Sequence, residues 1–146
     1  MQKFLSHSQF QTEEIAERLA KTLHGTEVIA MFGGMGAGKT AFTRGLARGL
    51  GINDGVSSPT FALVHEYEGR FPLYHFDMYR IGSFDDLYST GFFDYIENGV
   101  MLIEWSENIE GALPEDAVRI TISRGEHENQ RIFETEGVAI NEAIGG

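Results

Sequence analysis

Glu27-Val28-Ile29-Ala30-Met31-Phe32-Gly33-Gly34-Met35-Gly36-Ala37-Gly38-Lys39-Thr40 is the stretch that decides the fold. Its first six residues are a short apolar run, suited to a strand buried on both faces. The next eight match G-x-x-x-x-G-K-[ST], the phosphate-binding loop. Thr40 to Leu50 then reads as a helix, stopped by Gly51. Strand, glycine loop and helix in that order are the context the motif requires. In a chain with 18 glycines and only three lysines, a chance match is expected about 0.5% of the time.

Each part of the loop has a physical task. Gly33, Gly34, Gly36 and Gly38, with Met35 and Ala37 between them, allow backbone conformations that turn successive N–H groups toward phosphate oxygens. The helix that follows adds its positive end. Lys39 reaches the β- and γ-phosphates, and the Thr40 hydroxyl ligates Mg²⁺. No Asn-Lys-x-Asp occurs. The guanine-reading motif of GTPases is therefore missing, and ATP is the expected nucleotide.

Such a loop needs an acid at the end of a neighbouring strand, to hold the magnesium shell or to position water. Asp77 follows Leu73-Tyr74-His75-Phe76, and Glu104 follows Val100-Met101-Leu102-Ile103. Strand C-terminal ends are where open α/β sheets bind ligands. Both acids qualify, and the residues alone do not separate metal ligand from water-positioning group. His75 is two residues from Asp77 and reads as a histidine packed on the sheet rather than a metal ligand. Trp105, the only tryptophan, suits a place beside the nucleotide or a partner as well as it suits the core. Thr60, after Pro59, lies where many P-loop proteins place a switch segment, and an ordinary loop suits the position equally well. Arg44, Arg48 and Arg80 are the cations near the motifs, the first two being expected on the solvated face of the helix.

Outward from these motifs, Ser8 to His24 reads as a helix capped by Ser8 or Thr12 and ended by Gly25. Phe61 to Tyr67 and Phe71 to Asp77 read as a hairpin. Ser83 to Tyr88 reads as a short helix capped by Ser83. Ala117 to Ser123 and Arg131 to Glu136 form a late strand pair around a polar turn, and Asn141 to Gly146 are expected to fray. The whole is expected to be a single α/β domain spanning 1–146.

The chain has 146 residues, 42% of them hydrophobic, which suffices for one core. It has no cysteine, which excludes disulfides and thiolate chemistry. No apolar run approaches a membrane span, the N-terminus lacks signal-peptide character, and the cytoplasm is the expected location. The net charge of −11 argues against independent nucleic-acid binding, which uses a basic stripe. It fits solubility or docking on a basic protein.

Taken in order, Thr12-x6-Leu19-Ala20, the Gly33–Thr40 loop, Val56-Ser57-Ser58-Pro59-Thr60-Phe61, Glu66-Tyr67, His75-Phe76-Asp77-Met78-Tyr79-Arg80 and Leu102-Ile103-Glu104-Trp105 resemble the TsaE (YjeE) family. These are P-loop ATPases of bacterial tRNA threonylcarbamoyladenosine synthesis. The likeness runs from about Thr12 to Arg131. The loop is common to many proteins, whereas the S-P-T-F, H-x-D-x-Y-R and I-E-W set is more specific. The chain departs from the family at Gly34-Met35, where Asp or Asn followed by Leu is usual. The backbone cradle does not need those side chains, but any special role of the acid is put in question.

The resemblance implies a P-loop NTPase-like α/β fold with a central mixed sheet flanked by helices. It implies weak Mg²⁺-dependent ATP hydrolysis that matters in a complex with TsaD and TsaB, which themselves transfer the threonylcarbamoyl group to adenosine 37 of tRNA. It places Thr12 near the base or ribose and Thr40 and Glu104 near magnesium. Asp77 would serve the metal shell or the water, and Trp105 would border the site. Two other readings use the same loop: a small-molecule kinase, and a nucleotide sensor that does not hydrolyse. The Tyr79–Glu97 region carries only Arg80, which counts against a kinase lid.

Overall fold

The computed structural model describes residues 2–33, 38–52, 64–78 and 81–137, and the side chains of 2, 4 and 84 fall outside that description. Gly34, Met35, Gly36, Ala37, Thr60, Tyr79, Arg80 and the tail from 138 onward also lie outside the described residues.

One seven-stranded mixed sheet organises the rest. Its strands are β1 (Gln2–Ser6), β2 (Val28–Phe32), β3 (Val64–Glu68), β4 (Pro72–Asp77), β5 (Val100–Glu104), β6 (Val118–Arg124) and β7 (Arg131–Glu136). The spatial order is β1-β7-β6-β2-β5-β4-β3. The inner four strands are parallel, β2 lying between β5 and β6 and β4 beside β5. Antiparallel hairpins flank them, β3 on β4 and β7 on β6, and β1 closes one edge on β7. The two strands that read as apolar runs, β2 and β5, sit side by side at the centre. Every residue of β5 is buried, as expected for a strand covered on both faces.

Two different layers cover the sheet. On one face Ile29, Met31, Leu73, Leu102, Ile120 and Phe133 pack against Ala16 and Leu19 of α1 (Gln9–Ala20) and Phe42 and Leu46 of α2 (Lys39–Gly49). On the other, Val28, Phe76, Met101 and Ile103 meet short pieces: α3 (Phe84–Ser89), α4 (Phe92–Tyr95) and a 3-10 segment (Ser106–Ala112). Helices α1 and α2 touch backbone to backbone. A Cβ on Gly45 would lie 2.1 Å from the Glu13 carbonyl oxygen, and one on Gly49 2.5 Å from the Ala20 Cβ. Among the described residues no helix is long and apolar enough to cross a membrane.

Several boundaries differ from the sequence expectation. Helix α1 ends at Ala20 with Lys21 as its cap, short of Gly25. Ser8, and not Thr12, caps its start, the Ser8 hydroxyl accepting from the Gln11 N–H at 3.0 Å. Thr12 lies a turn inside. Gly25 has a left-handed φ of +120° against the Phe71 ring, and so shapes the turn into β2. The other predicted elements fall within a few residues of their expected ranges. Strand β1, helix α4 and the 3-10 segment carry no local signal that announced them. Strand β1 forms only because β7 offers an open edge, and the other two are too short for a helical apolar pattern.

Candidate functional site

At the C-terminal end of β2 the chain reaches Gly33, which has a φ of +132° and sits so close to β6 that a Cβ would lie 2.3 Å from the Ile122 carbonyl oxygen. Both constraints demand glycine. Its carbonyl accepts from Lys39 Nζ at 2.9 Å. Its N–H donates to Glu107 Oε2 at 3.1 Å, from a residue 74 positions later in the 3-10 segment. Lys39 is the first residue of α2 and is only 6% exposed. Gly38 precedes it in the left-handed conformation and caps the helix without a side-chain hydrogen bond. That leaves no side chain competing for the positive end of α2. Thr40 follows, half-buried, in the first turn. The Thr43 hydroxyl donates to the Lys39 carbonyl at 2.8 Å and steadies that turn.

The ends of β4 and β5 lie next to one another. Asp77 and Glu104 are register partners in this parallel pair, so their side chains leave the sheet on the same face. Glu104 is 5% exposed. Its Oε2 accepts a hydrogen bond from His75 Nε2 at 2.7 Å, in a buried pair. Asp77 is half-buried. The Met78 N–H donates to the Glu104 carbonyl at 3.1 Å, and Asn108 Nδ2 donates to the Met78 carbonyl at 2.8 Å. These two bonds lock the β4 exit to the segment after β5.

Trp105 turns sharply out of β5 with a left-handed φ of +59°. Its ring lies under the Lys39 ammonium, 4.3 Å from Nζ to the ring centroid, a cation–π contact. The same ring packs on the apolar cluster beneath α3 and α4. Of the places the sequence left open, the core is occupied, and the ring also lies beside Lys39.

The remaining residues singled out in the sequence are placed elsewhere. Thr12 is 1% exposed, and its hydroxyl is bonded to the Ser6 hydroxyl at 2.7 Å. Arg44 is exposed on α2. Arg48 pairs with Glu13 at 3.4 Å and Glu17 at 3.1 Å, clasping α2 to α1. Two residues of this region, Glu107 and Arg131, were given no role from the sequence, and a third, His75, was read only as packed on the sheet. Glu107 holds the Gly33 amide. His75 holds Glu104, although its reading as a histidine packed in the sheet is also correct. Arg131, at the start of β7, brings its side chain against Gly38, where a Cβ would lie 3.6 Å from Nε. Only the spacing of His75 and Asp77 could have pointed to one of them.

The comparisons with known proteins agree on one family. The model of the family described as "Threonylcarbamoyl adenosine biosynthesis protein TsaE" matches residues 6–133. The tRNA threonylcarbamoyladenosine biosynthesis protein TsaE of Bacillus subtilis is 41% identical over 130 residues, covering 87% of this chain and 81% of that protein. The protein of the same name from Treponema pallidum is 41% identical over 105 residues, covering 71% and 78%. Among solved structures, Bacillus subtilis YdiB superposes with a TM-score of 0.74 at 32% identity, over 97% of this chain and 93% of that one. With the mixed sheet, the two-sided helical cover and a match over most of its length, this chain belongs to the TsaE family of tRNA threonylcarbamoyladenosine biosynthesis proteins.

Proposed function

We propose that this protein binds Mg·ATP on the Gly33–Thr40 segment and hydrolyses it slowly by itself, serving tRNA threonylcarbamoyladenosine synthesis as the ATPase partner of TsaD and TsaB. The observation that carries this reading is the convergence of a buried lysine and a buried, histidine-bonded glutamate at the C-terminal ends of adjacent parallel strands. A buried Lys39 and a buried Glu104 are costly unless they serve paired charges.

The donor set suits magnesium. Mg²⁺ takes oxygen ligands and is commonly held by one or two carboxylates or hydroxyls together with nucleotide phosphates. The Thr40 hydroxyl and the Glu104 and Asp77 carboxylates are such ligands. Among the described residues no three His, Asp or Glu side chains form a metal cage, and binding through the phosphates does not need one. Bound there, the ion would neutralise charge on the β- and γ-phosphates.

The protein's own groups account for the rest. By the motif, the phosphates would be received by the loop's peptide N–H groups and by the N-terminal end of α2. Lys39 is held by the Gly33 carbonyl, and with nucleotide bound it would serve the β- and γ-phosphates. Trp105, whose ring lies under Lys39, borders the nucleotide. Asp77 or Glu104 orients the water that attacks the γ-phosphorus as the bond to the bridging oxygen breaks. A site built from positioning and charge alone hydrolyses slowly until a partner completes it. With a net charge of −11, the protein is suited to dock on a basic protein surface rather than to grip tRNA.

The test is ATP turnover of the protein alone and with purified TsaD–TsaB, alongside Lys39→Ala and Glu104→Ala. Stimulation by the partners is expected, with turnover falling by roughly 10²-fold or more in each variant. Wild-type turnover in Lys39→Ala would refute the reading. Binding without turnover in the full complex would favour the sensor.

A further inference from the structure

The two acids at the strand ends are not equivalent, and a neighbour makes them so. Asp77 and Glu104 stand opposite each other in register. Left alone, two carboxylates this close on one face repel, and neither has a defined direction. Glu104 has its hydrogen-bond partner on the neighbouring strand β4. Its Oε2 turns back one step along β4, to His75 Nε2 at 2.7 Å. The histidine is 1% exposed, and it stands two residues before Asp77 on the same face of the strand.

The hydrogen bond fixes the tautomer. A carboxylate oxygen only accepts, so the proton of this bond sits on Nε2. His75 Nδ1 is buried and has no partner among the described residues. The imidazole thus presents one donor to one carboxylate oxygen, Oε2. We infer that His75 is the positioning residue for Glu104: it holds the carboxylate in the one orientation in which its other oxygen serves the magnesium of Mg·ATP. This rests on the assignment of Glu104 to the metal shell made above. Ligand carboxylates are commonly held by such a second hydrogen bond, and losing it typically weakens metal affinity or activity 10–100-fold.

Trp105 adjoins Glu104 and is the only tryptophan, so its fluorescence reports the site without any turnover. ATP would be titrated in EDTA, and Mg²⁺ then titrated into the ATP-saturated protein, for wild type, Glu104→Gln, His75→Leu and His75→Gln. In His75→Leu the half-saturating Mg²⁺ concentration should rise about tenfold or more, while ATP binding in EDTA stays within about twofold. His75→Gln, whose amide nitrogen can reach the place of Nε2, should recover most of the loss. If the leucine variant does not fold, His75→Asn, whose amide stops short of Glu104, takes its place with the same expectation. Unchanged Mg²⁺ dependence in these variants would overturn the inference. So would an equal loss of ATP binding with and without Mg²⁺, which marks general damage. If Glu104→Gln itself leaves Mg²⁺ dependence unchanged, the metal assignment fails and the role of His75 falls with it. If Glu104→Gln abolishes that dependence and His75→Leu does not alter it, only His75 is wrongly assigned.

Discussion

Strand β2 is gripped at both ends by a glutamate that accepts hydrogen bonds from the backbone, and the two grips differ in kind. At its N-terminal end Glu27 folds over its own preceding turn. The N–H groups of His24, Gly25 and Thr26 donate to its carboxylate at 2.7, 2.9 and 3.1 Å. At the C-terminal end Glu107 arrives from 74 residues away to take a single N–H, that of Gly33, at 3.1 Å. The first grip closes within three residues and costs little chain entropy. The second exists only when β2 and β5 already lie side by side. The near grip stabilises the fold. The far grip ties the loop entrance to the segment that carries Glu104 and Trp105, and so belongs to function.

The most damaging way to break this contrast is to lift α2, which carries Lys39, off α1. Gly45→Val would push a side chain into the Glu13 carbonyl, 2.1 Å from the new Cβ. We expect a loss of about 3 kcal/mol or more in urea unfolding, because the obstacle is backbone and cannot rotate away. A variant of wild-type stability would show that the two helices separate freely.

Removing the near grip should cost less. Glu27→Gln is expected to lose about 1–2 kcal/mol, the scale of hydrogen bonds to a charged acceptor reduced by partial exposure. Burial pushes the Glu27 carboxyl up, but the N–H groups of His24, Gly25 and Thr26 outweigh it and hold the pKa below the ordinary glutamate value. The folded state therefore favours the ionised form. That stability is present in full above the unfolded-state pKa and is lost as pH falls through the lowered one. The gap in melting temperature between wild type and Glu27→Gln should be constant near neutral pH and shrink in acid. A gap that widens in acid would contradict the sign.

The far grip should give the smallest change in free energy and the one most confined to the site. Glu107 is exposed, so Glu107→Ala should leave unfolding within about 0.5 kcal/mol of wild type. ATP affinity should fall about fivefold, ~1 kcal/mol, because the loop entrance loses its tether. Equal loss of stability and affinity would place Glu107 with Glu27 as a structural residue.

Much of the fold was legible because its signals are local. The apolar runs at β2 and β5, the glycine and lysine pattern after β2, the turn residues between β3 and β4 and the Ser83 cap each act within a few residues. Strand β1 was not legible, because Gln2–Ser6 pairs only through the edge that β7 presents. The C-terminal end of α1 was misplaced because Gly25 serves the turn against Phe71 and not the helix. Lys39, Asp77 and Glu104 could be singled out because each follows a recognisable strand or loop. The partner of Glu104, His75, is set by strand adjacency, whereas that of Lys39, Gly33, lies only six residues before it.

By itself, then, the sequence determined the central strands, the glycine and lysine motif after β2 and the acids at the ends of β4 and β5, since periodicity, glycine and charge act over short spans of chain. Tertiary structure alone decided that Glu107 holds Gly33, that Trp105 lies under Lys39, that Gly45 lets α2 settle on α1 and that His75 holds Glu104. The reason is geometric. Each of these depends on which strands lie side by side and on distances of a few ångström between residues remote in sequence, and no local pattern encodes such a distance.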